Sequence, residues 1–418
     1  MGMEKNINRF TAMFEQSIGI EEPWYIKGAE YLEAEREVHI YVGIREGVQL
    51  PCPECGGACY RHGYEEKERV WRHGDCLFYP AYVHCQRPRI RCDKHGTPVV
   101  EAPWARKHSR FTLLFEGYAA IILADMPILK ASKILRCNEK SLVSIMKYWV
   151  DKAVSKDDLG KVTALGIDET SFKRRQSYVT VIIDAAQRRV IDVEEGRDSG
   201  TVIKFSYKLE EKGGDCNNIT QVSSDMSRAY MSAVSEAFPK ARLTIDKFHV
   251  KKLMLEGMDE VRRAEQREHK SKELNNSKKL LMIPQAKMNA EQIEKAGILS
   301  KQYPQIGKAF RMVALLDKVY ASPNLETAAR TLNGLISWMR RSRIEPMKRV
   351  AATLRQYRKE ILNVFVTKLT NAICEGINSM IQAAKRKARG YKTIDGFICM
   401  IYLIASKLTL GCPNPLKL

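Results

Sequence analysis

The chain has 418 residues, 44% of them hydrophobic, which is enough apolar material for two to four cored domains and excludes general disorder. Lysine plus arginine number 69 against 49 acids, giving +20 and a pI near 9.4. An excess of that size implies a polyanionic partner, most simply nucleic acid, because a face charged only for solubility needs less of one sign.

Six of the 11 cysteines fall between Cys52 and Cys92. A secreted disulfide scaffold is shorter and carries a leader. The opening MGMEKNINRF has no apolar signal core, and no apolar run approaches the length of a membrane span. The expected setting is reducing and cytoplasmic.

Residues 1–50 predict a short helix around Ile7 to Ile18 and two strands, Trp24 to Leu32 and Val38 to Ile44. Val38, Ile40, Val42 and Ile44 alternate with His39, Tyr41 and Gly43, as a half-buried strand requires. Residues 51–104 hold the cysteine cluster. PCPECGG sets Cys52 and Cys55 two residues apart in a tight turn, and RIRCDKHG does the same for Cys92 and His95. Two such knuckles can pinch one structural Zn²⁺ with three thiolates and an imidazole. Cys59, Cys76, Cys85, His62, His73 and His84 are alternative ligands, and a set of small buried thiols is the alternative explanation.

Residues 105–152 predict helices. Phe111 to Ala124 is the first; Pro127 suits the start of a second, with Ala131, Ile134 and Leu135 inward. Cys137, Asn138 and Glu139 make a turn, after which Leu142, Ile145, Met146 and Trp149 recur at helical spacing. This is a helix-turn-helix pattern whose second helix would present Lys140, Ser141, Ser144 and Lys147 to a DNA major groove. An ordinary helical hairpin is the competing explanation. Residues 153–160 read as a linker.

Residues 161–250 open with KVTALGIDETSF, then the runs Tyr178 to Ile183 and Val190 to Val193. Short β-branched runs between basic turns predict a three-stranded meander, the first strand delivering Asp168 to its end. Thr201 to Glu211 is helical, Ile219 to Asp225 is a strand ending in a second acid, Arg228 to Ala237 is helical, and Arg242 to Asp246 is a fifth strand. Three strands, helix, strand, helix, strand is a ribonuclease-H-like order on a mixed sheet. Residues 251–362 read as a basic helical insertion punctuated by Pro284, Pro304, Pro323 and Pro346, with Arg262 and Arg263 in its densest cluster. Trp338 can stack on a displaced base, although a core position suits it better. Residues 363–410 return to the core. Ile377, Ile381, Ala384 and Ala388 share one helical face; Glu375, Asn378, Gln382, Lys385, Arg386 and Arg389 share the adjoining one.

Hard divalent ions, Mg²⁺ or Mn²⁺, prefer oxygen ligands, and a pair of them can assist both oxygens of an in-line phosphoryl displacement. Asp168, Asp225 and Glu375 are the candidate ligands. Asp246 and His249 form a D-x2-H pair that can orient a ligand or a phosphate, or merely cap a turn. Asp184, Asp192 and Asp198 read as turn caps.

Set side by side, these segments resemble a known family. GIDETSFKRRQSYVTVIIDAAQRRVIDVEEGRD, SSDMSRAYMSAVSEAFPKARLTIDKFHVKKL and NAICEGINSMIQAAKRKARGY resemble the catalytic blocks of the ISL3 family of insertion-sequence transposases. CPECGG, WRHGDCLFYPAYVHCQRPRIRCDKHG and APWARKHSRFTLLFE resemble that family's zinc-binding segment, and the helix-turn-helix has its counterpart there. The resemblance runs over nearly the whole chain. It implies a multidomain α/β and α protein: zinc-binding segment, helix-turn-helix, and a ribonuclease-H-like DDE core interrupted by a helical insertion. It implies catalytic Asp168, Asp225 and Glu375, accessory Asp246 and His249, and zinc on Cys52, Cys55, Cys92 and His95. The implied partner is double-stranded DNA, at element ends and target, bound by a homodimer or higher oligomer. A non-catalytic DNA-binding regulator and a structure-selective nuclease without a joining step are the competing functions.

Overall fold

A computed structural model describes residue 12 and residues 14–173, 177–367 and 372–413. It is a mixed α/β protein in two compact units. One holds the chain through Ser155 together with Ala384–Leu403 and the residues from Leu408 on; the other holds Lys156–Ala383 and Ile404–Lys407. Among the described residues no helix is long and apolar enough to cross a membrane.

The amino-terminal helix falls largely outside the described residues, which show helix over 14–18. The strands β1 (Trp24–Leu32) and β2 (Glu37–Ile44) form at the two expected positions and pair antiparallel. They join β6 (Arg69–Cys76) and β7 (Tyr79–Cys85) in a sheet of order β1-β2-β7-β6. Two short ladders, β3 (Leu50–Pro51) with β4 (Ala58–Cys59) and β5 (Arg61–Tyr64) with β8 (Pro88–Ile90), carry the cysteine knuckles. The core here is aromatic: Trp24 and Trp71 each meet Trp104 edge-on, at 5.2 and 5.7 Å between ring centres.

Helices Leu113–Asp125, Ile128–Ile134 and Glu139–Ser155 follow. The helical spacing holds for Leu142, Ile145, Met146 and Trp149, all buried. Ile134, expected inward, is 45% exposed, because the inner face of its short helix is carried by Ala131 and Leu135. Glu116 organises this region in a way its sequence context does not announce. Its fully buried carboxylate accepts from Arg106 Nε, Ser109 Oγ and Trp149 Nε1 at 2.9, 2.6 and 2.7 Å, tying the first helix to the third. The expected linker 153–160 is instead anchored. The helix runs to Ser155, Asp157 pairs with Arg189 at 2.7 Å, and Leu159 is buried in the next core.

In the second unit, β9 (Ala164–Lys173), β10 (Ser177–Asp184) and β11 (Arg189–Glu195) form the predicted antiparallel meander. The strands β12 (Gln221–Ser224) and β13 (Arg242–Ile245) continue the sheet parallel to β9, giving the order β11-β10-β9-β12-β13. The period of two gives β9 two distinct faces. Leu165 and Ile167 face helices Ser199–Glu211 and Arg228–Ala237, packing with Val202, Phe205, Tyr230 and Val234. Asp192, expected to cap a turn, is buried and paired to Lys208 at 3.0 Å.

Gly166, Asp168 and Thr170 point the other way, toward helix Ala372–Lys387. A Cβ built on Gly166 lies 2.4 Å from Cys374 Sγ, so the glycine is there for space. Asn378 Nδ2 donates to Asp168 Oδ2, and Gln382 Nε2 donates to Thr170 Oγ1 at 2.7 Å. The contacts advance four helical residues for every two strand residues. Four residues of helix rise about 6 Å and two of strand about 6.6 Å, so helix and strand run parallel in step.

The segment expected to form a helical insertion has its own core, from Val250, Met254 and Met258 through Leu332 and Leu335 to Leu354. Its first helix, Lys247–His269, starts directly after β13, upstream of the expected boundary at residue 250. Pro304 and Pro346 stand in the first turns of their helices, as expected for proline. Trp338 packs on this core. Arg262, expected on a DNA-facing surface, is 7% exposed: it pairs with Asp259 at 2.8 Å and donates to the Leu274 carbonyl at 3.1 Å. The chain returns to the sheet edge through Asn363 Nδ2 on the Leu243 carbonyl at 2.6 Å.

Replacing Gly166 by alanine forces Cys374 away from the strand, at an expected cost of about 1–3 kcal/mol. Adding Cys374→Ala should recover much of that loss. Denaturant midpoints of the two single variants and the double variant measure it; simple additivity would mean the two residues are not in contact.

Candidate functional site

Three acids reach the end of the parallel ladder together. The β9–β12 pairing ends at Gly166 with Ser223, and the β12–β13 pairing at Ser224 with Ile245. Extending that register by one or two residues sets Asp168, Asp225 and Asp246 in one row across three neighbouring strands, and opposed residues share a face. Asp168 therefore stands in the middle of a ten-residue strand, not at its end as expected, because antiparallel pairing with β10 carries β9 on to Lys173.

Each acid is held differently. Asp168 Oδ1 accepts from the Glu169 backbone N–H at 2.8 Å, and its Oδ2 accepts from Asn378. Asp225 Oδ1 accepts from the Ser227 backbone N–H at 2.9 Å. Asp246 is 3% exposed and caps helix Lys247–His269 by accepting from the Phe248 N–H at 2.9 Å; its other oxygen meets His249 Nδ1 at 3.1 Å. The D-x2-H pair therefore forms, and the capping role comes with it.

The electrostatics follow from this crowding. Burial, and then the charges of Asp246 and Asp225, push Asp168 up to about 6, against the pull of the Glu169 N–H and of His249. Burial alone would lower His249, but the Asp246 hydrogen bond and the charges of Asp246, Asp168 and Asp225 outweigh it and raise the imidazole. Glu169, on the opposite face, is raised by burial and by Asp225. Tyr230 lies under the same field, its hydroxyl 2.8 Å from Thr180 Oγ1, with burial as the main cause of its raised pKa.

Glu375 sits in the first turn of the helix that registers on β9. It shares a stripe with Asn378 and Gln382 at i, i+3 and i+7, and is itself exposed. It does not join the other acids in a tight cluster. Among the described residues the one group of three or more metal-type ligands lying within 4.8 Å of one another is Cys52, Cys55, Cys92 and His95. Donors around a single Mg²⁺ lie within about 4.2 Å of each other, whereas two ions about 3.5–4 Å apart spread their donors over roughly twice that span. The row of hard oxygens fits the wider arrangement in donor chemistry. Sequence reasoning placed Asn378 and Gln382 on the acid's helical face without a role and missed Cys374. The pattern C-E-x2-N-x3-Q at helical spacing was the available signal.

The cysteine cluster is a closed site. Cys55 Sγ and Cys92 Sγ are 3.8 Å apart, and His95 Nδ1 is 3.6 Å from both Cys52 Sγ and Cys92 Sγ. A zinc tetrahedron with Zn–S of about 2.3 Å and Zn–N of about 2.0 Å has edges of about 3.8 and 3.5 Å, so the four residues fit that ion. Both knuckles turn through a glycine of positive φ, Gly56 and Gly96 at 70° each, and both close with a glycine N–H on the first cysteine's carbonyl. The backbone N–H of Lys94 holds the Cys92 thiol below its usual range, toward the ligating thiolate. Of the alternative ligands, Cys59 lies beside the cluster, its thiol raised by burial and by Cys92, Cys52 and Cys55, whereas burial pushes Cys85 up to about 12 and His73 down to about 4, and His84 bonds Glu68 at 2.9 Å.

Of the residues expected to face DNA, Lys140, Ser144, Lys147, Arg263, Arg386 and Arg389 are exposed and Ser141 and Lys385 are half-buried. Lys385, Arg386 and Arg389 belong to the amino-terminal unit.

A family model described as "Transposase", of the ISL3 DDE group, matches residues 165–401. A second, described as "Helix-turn-helix domain of transposase family ISL3", matches residues 100–150. Two proteins from strains of Mycobacterium tuberculosis, each named "Transposase for insertion sequence element IS1557", are 24% identical over 430 residues, spanning 96% of this chain and 95% of their own length. A Bordetella parapertussis protein named "Transposase for insertion sequence element IS1001" is 24% identical over 373 residues, spanning 88% of this chain and 91% of its own.

The raised Asp168 pKa fixes a sign. Its folded-state value of about 6 lies above that of an unfolded aspartate, about 3.9. The folded protein therefore binds the extra proton, and the charged form is a liability at neutral pH that fades as pH falls from 7 to 4. Asp168→Asn should stabilise the protein by on the order of 1–3 kcal/mol at pH 7.5, with the gain disappearing near pH 4. Melting curves across that range test it; a gain that grows toward acid would contradict the assigned cause.

Proposed function

The chain belongs to the ISL3 family of transposases, and from that membership and the geometry above we propose that it binds the terminal inverted repeats of an insertion sequence, cuts there and joins the freed ends to target DNA. The observation that carries this is the row of Asp168, Asp225 and Asp246, overlaid by the helix that brings Glu375. The meander, the two parallel strands and their crossover helices support a ribonuclease-H-like core, with residues 251–362 as its insertion. Asp168, Asp225 and Glu375 hold Mg²⁺ or Mn²⁺, and Asp246 with His249 steadies the scissile phosphate. When bound, the ions supply Lewis acidity to the entering and leaving oxygens of an in-line displacement.

The bond changes balance without a further reactant. Water adds to phosphorus as the bond to the 3′ oxygen breaks, and that oxygen takes a proton to become a 3′-hydroxyl. The hydroxyl then forms a new phosphodiester with target DNA and releases the target's own 3′ oxygen, which takes a proton in turn. Zinc on Cys52, Cys55, Cys92 and His95 is architectural, because all four tetrahedral positions are filled by protein. The helix-turn-helix reads element ends through Lys140, Ser141, Ser144 and Lys147. Arg263, Lys385, Arg386 and Arg389 contact backbone phosphates. Holding two ends at once calls for a dimer or higher oligomer.

Labelled duplexes bearing the inverted repeats that flank the reading frame provide the test. With Mg²⁺ or Mn²⁺ the parent should yield nicked ends and joined product. Glu375→Gln should bind the ends as the parent does and lose at least about a hundred-fold in cleavage, since a metal ligand contributes several kcal/mol to such a transition state. End binding without cleavage by the parent would favour a regulator, and cleavage without joining would favour a nuclease.

A further inference from the structure

Asn378 stands one turn beyond Glu375, and its amide is only half used. Nδ2 donates to Asp168 Oδ2, and the other Asp168 oxygen is occupied by the Glu169 N–H at 2.8 Å. The amide oxygen, Asn378 Oδ1, is buried and has no hydrogen-bond partner. A buried carbonyl oxygen without a partner is costly, and in a native structure it calls for an ion, a water or a function. Turning the amide over gives no relief, because it would set the carbonyl oxygen against a carboxylate oxygen and orphan the N–H groups instead. Asp168 thus fixes the amide's orientation, and the unused oxygen follows from it.

Gln382, one turn further on, shows the contrast. It meets a neutral hydroxyl, Thr170 Oγ1, and leaves no buried atom unpaired. Asn378 combines a bond to an acid with an orphaned hard oxygen, in a field set by Asp168, Asp225 and Asp246. Hard divalent cations accept neutral amide carbonyl oxygens as ligands alongside carboxylates.

We infer that Asn378 is an oxygen donor to the divalent cation held at Asp168, directly or through one water of the ion's shell, while its N–H orients that carboxylate. This rests on the acid site proposed above. It assigns the helix two contributions to the site one turn apart, the Glu375 carboxylate and a neutral oxygen. A neutral donor adds affinity without adding charge to a row that already repels itself.

The test is Mn²⁺ titration of the full-length protein, followed by electron paramagnetic resonance, with melting temperature and duplex binding as controls. The parent should bind Mn²⁺ and Asp168→Ala should lose that binding. Asn378→Leu, similar in size without donor or acceptor, should weaken Mn²⁺ binding about ten- to hundred-fold, the range for groups that support a metal site. It should remain folded and keep its affinity for DNA. Asn378→Asp keeps an oxygen and loses the N–H, and should bind Mn²⁺ at least as tightly as the parent. Parent-like binding by Asn378→Leu overturns the inference and leaves the acid site standing. Equal weakening in the leucine and aspartate variants also overturns it, because bracing of Asp168 would then be the whole role. A parent that binds no Mn²⁺ sinks the acid site, and the inference with it.

Discussion

The packing of helix Ala372–Lys387 along β9 is the constraint on which the rest of the site depends. Three rungs hold it: Cys374 over Gly166, Asn378 on Asp168 and Gln382 on Thr170. The first is steric and sets how closely the helix approaches. The other two are polar and set how far it slides. A slip of one residue would turn each rung's side chain by about 100° and break all three at once. Glu375 has no bond of its own to the sheet among the described contacts, so its position is inherited from its neighbours on the helix. The local arrangement works against stability at Asp168, whose charge is disfavoured by burial and by two other acids. That conflict is typical of functional sites, where one local rule is broken while the surrounding structure holds the fold.

The acid row has a simple geometric origin. Both parallel strands, β12 and β13, are four residues long, and an aspartate follows each. Each of these aspartates caps the turn or helix that begins there, Asp225 on Ser227 and Asp246 on Phe248. Structural capping and functional placement are therefore not competing explanations for these residues. The carboxyl ends of parallel strands are where an open α/β sheet exposes groups to a ligand, and capping already favours aspartate at those positions.

Much of the fold was legible in the sequence because it rests on periodicity. The β-branched runs marked β9 to β11, helical spacing marked Leu142 to Trp149, and the paired knuckles marked the four-ligand cluster. What was missed depended on partners distant in the chain. Asp168 was read as a strand end because its apolar run stops there, yet pairing with β10 carries the strand five residues further. Arg262 was read with its basic neighbours, although Asp259 three residues earlier pairs with it and draws it into the core. The stretch 153–160 looked polar, and one leucine and one aspartate sufficed to anchor it. Glu116 gave no local sign, because it acts by meeting a residue 33 positions away, and Asn378 gave only its place on the acid's helical face, its partner Asp168 lying 210 positions back.

The most direct measurement is a crystal structure of the protein with Mn²⁺ and a pre-cut element end, with the ion located by anomalous scattering. The account requires anomalous density within about 2.2 Å of oxygens of both Asp168 and Asp225, with the Glu375 carboxylate turned in to reach it. Manganese found away from Asp168, or a Glu375 still directed to solvent in that complex, would contradict it.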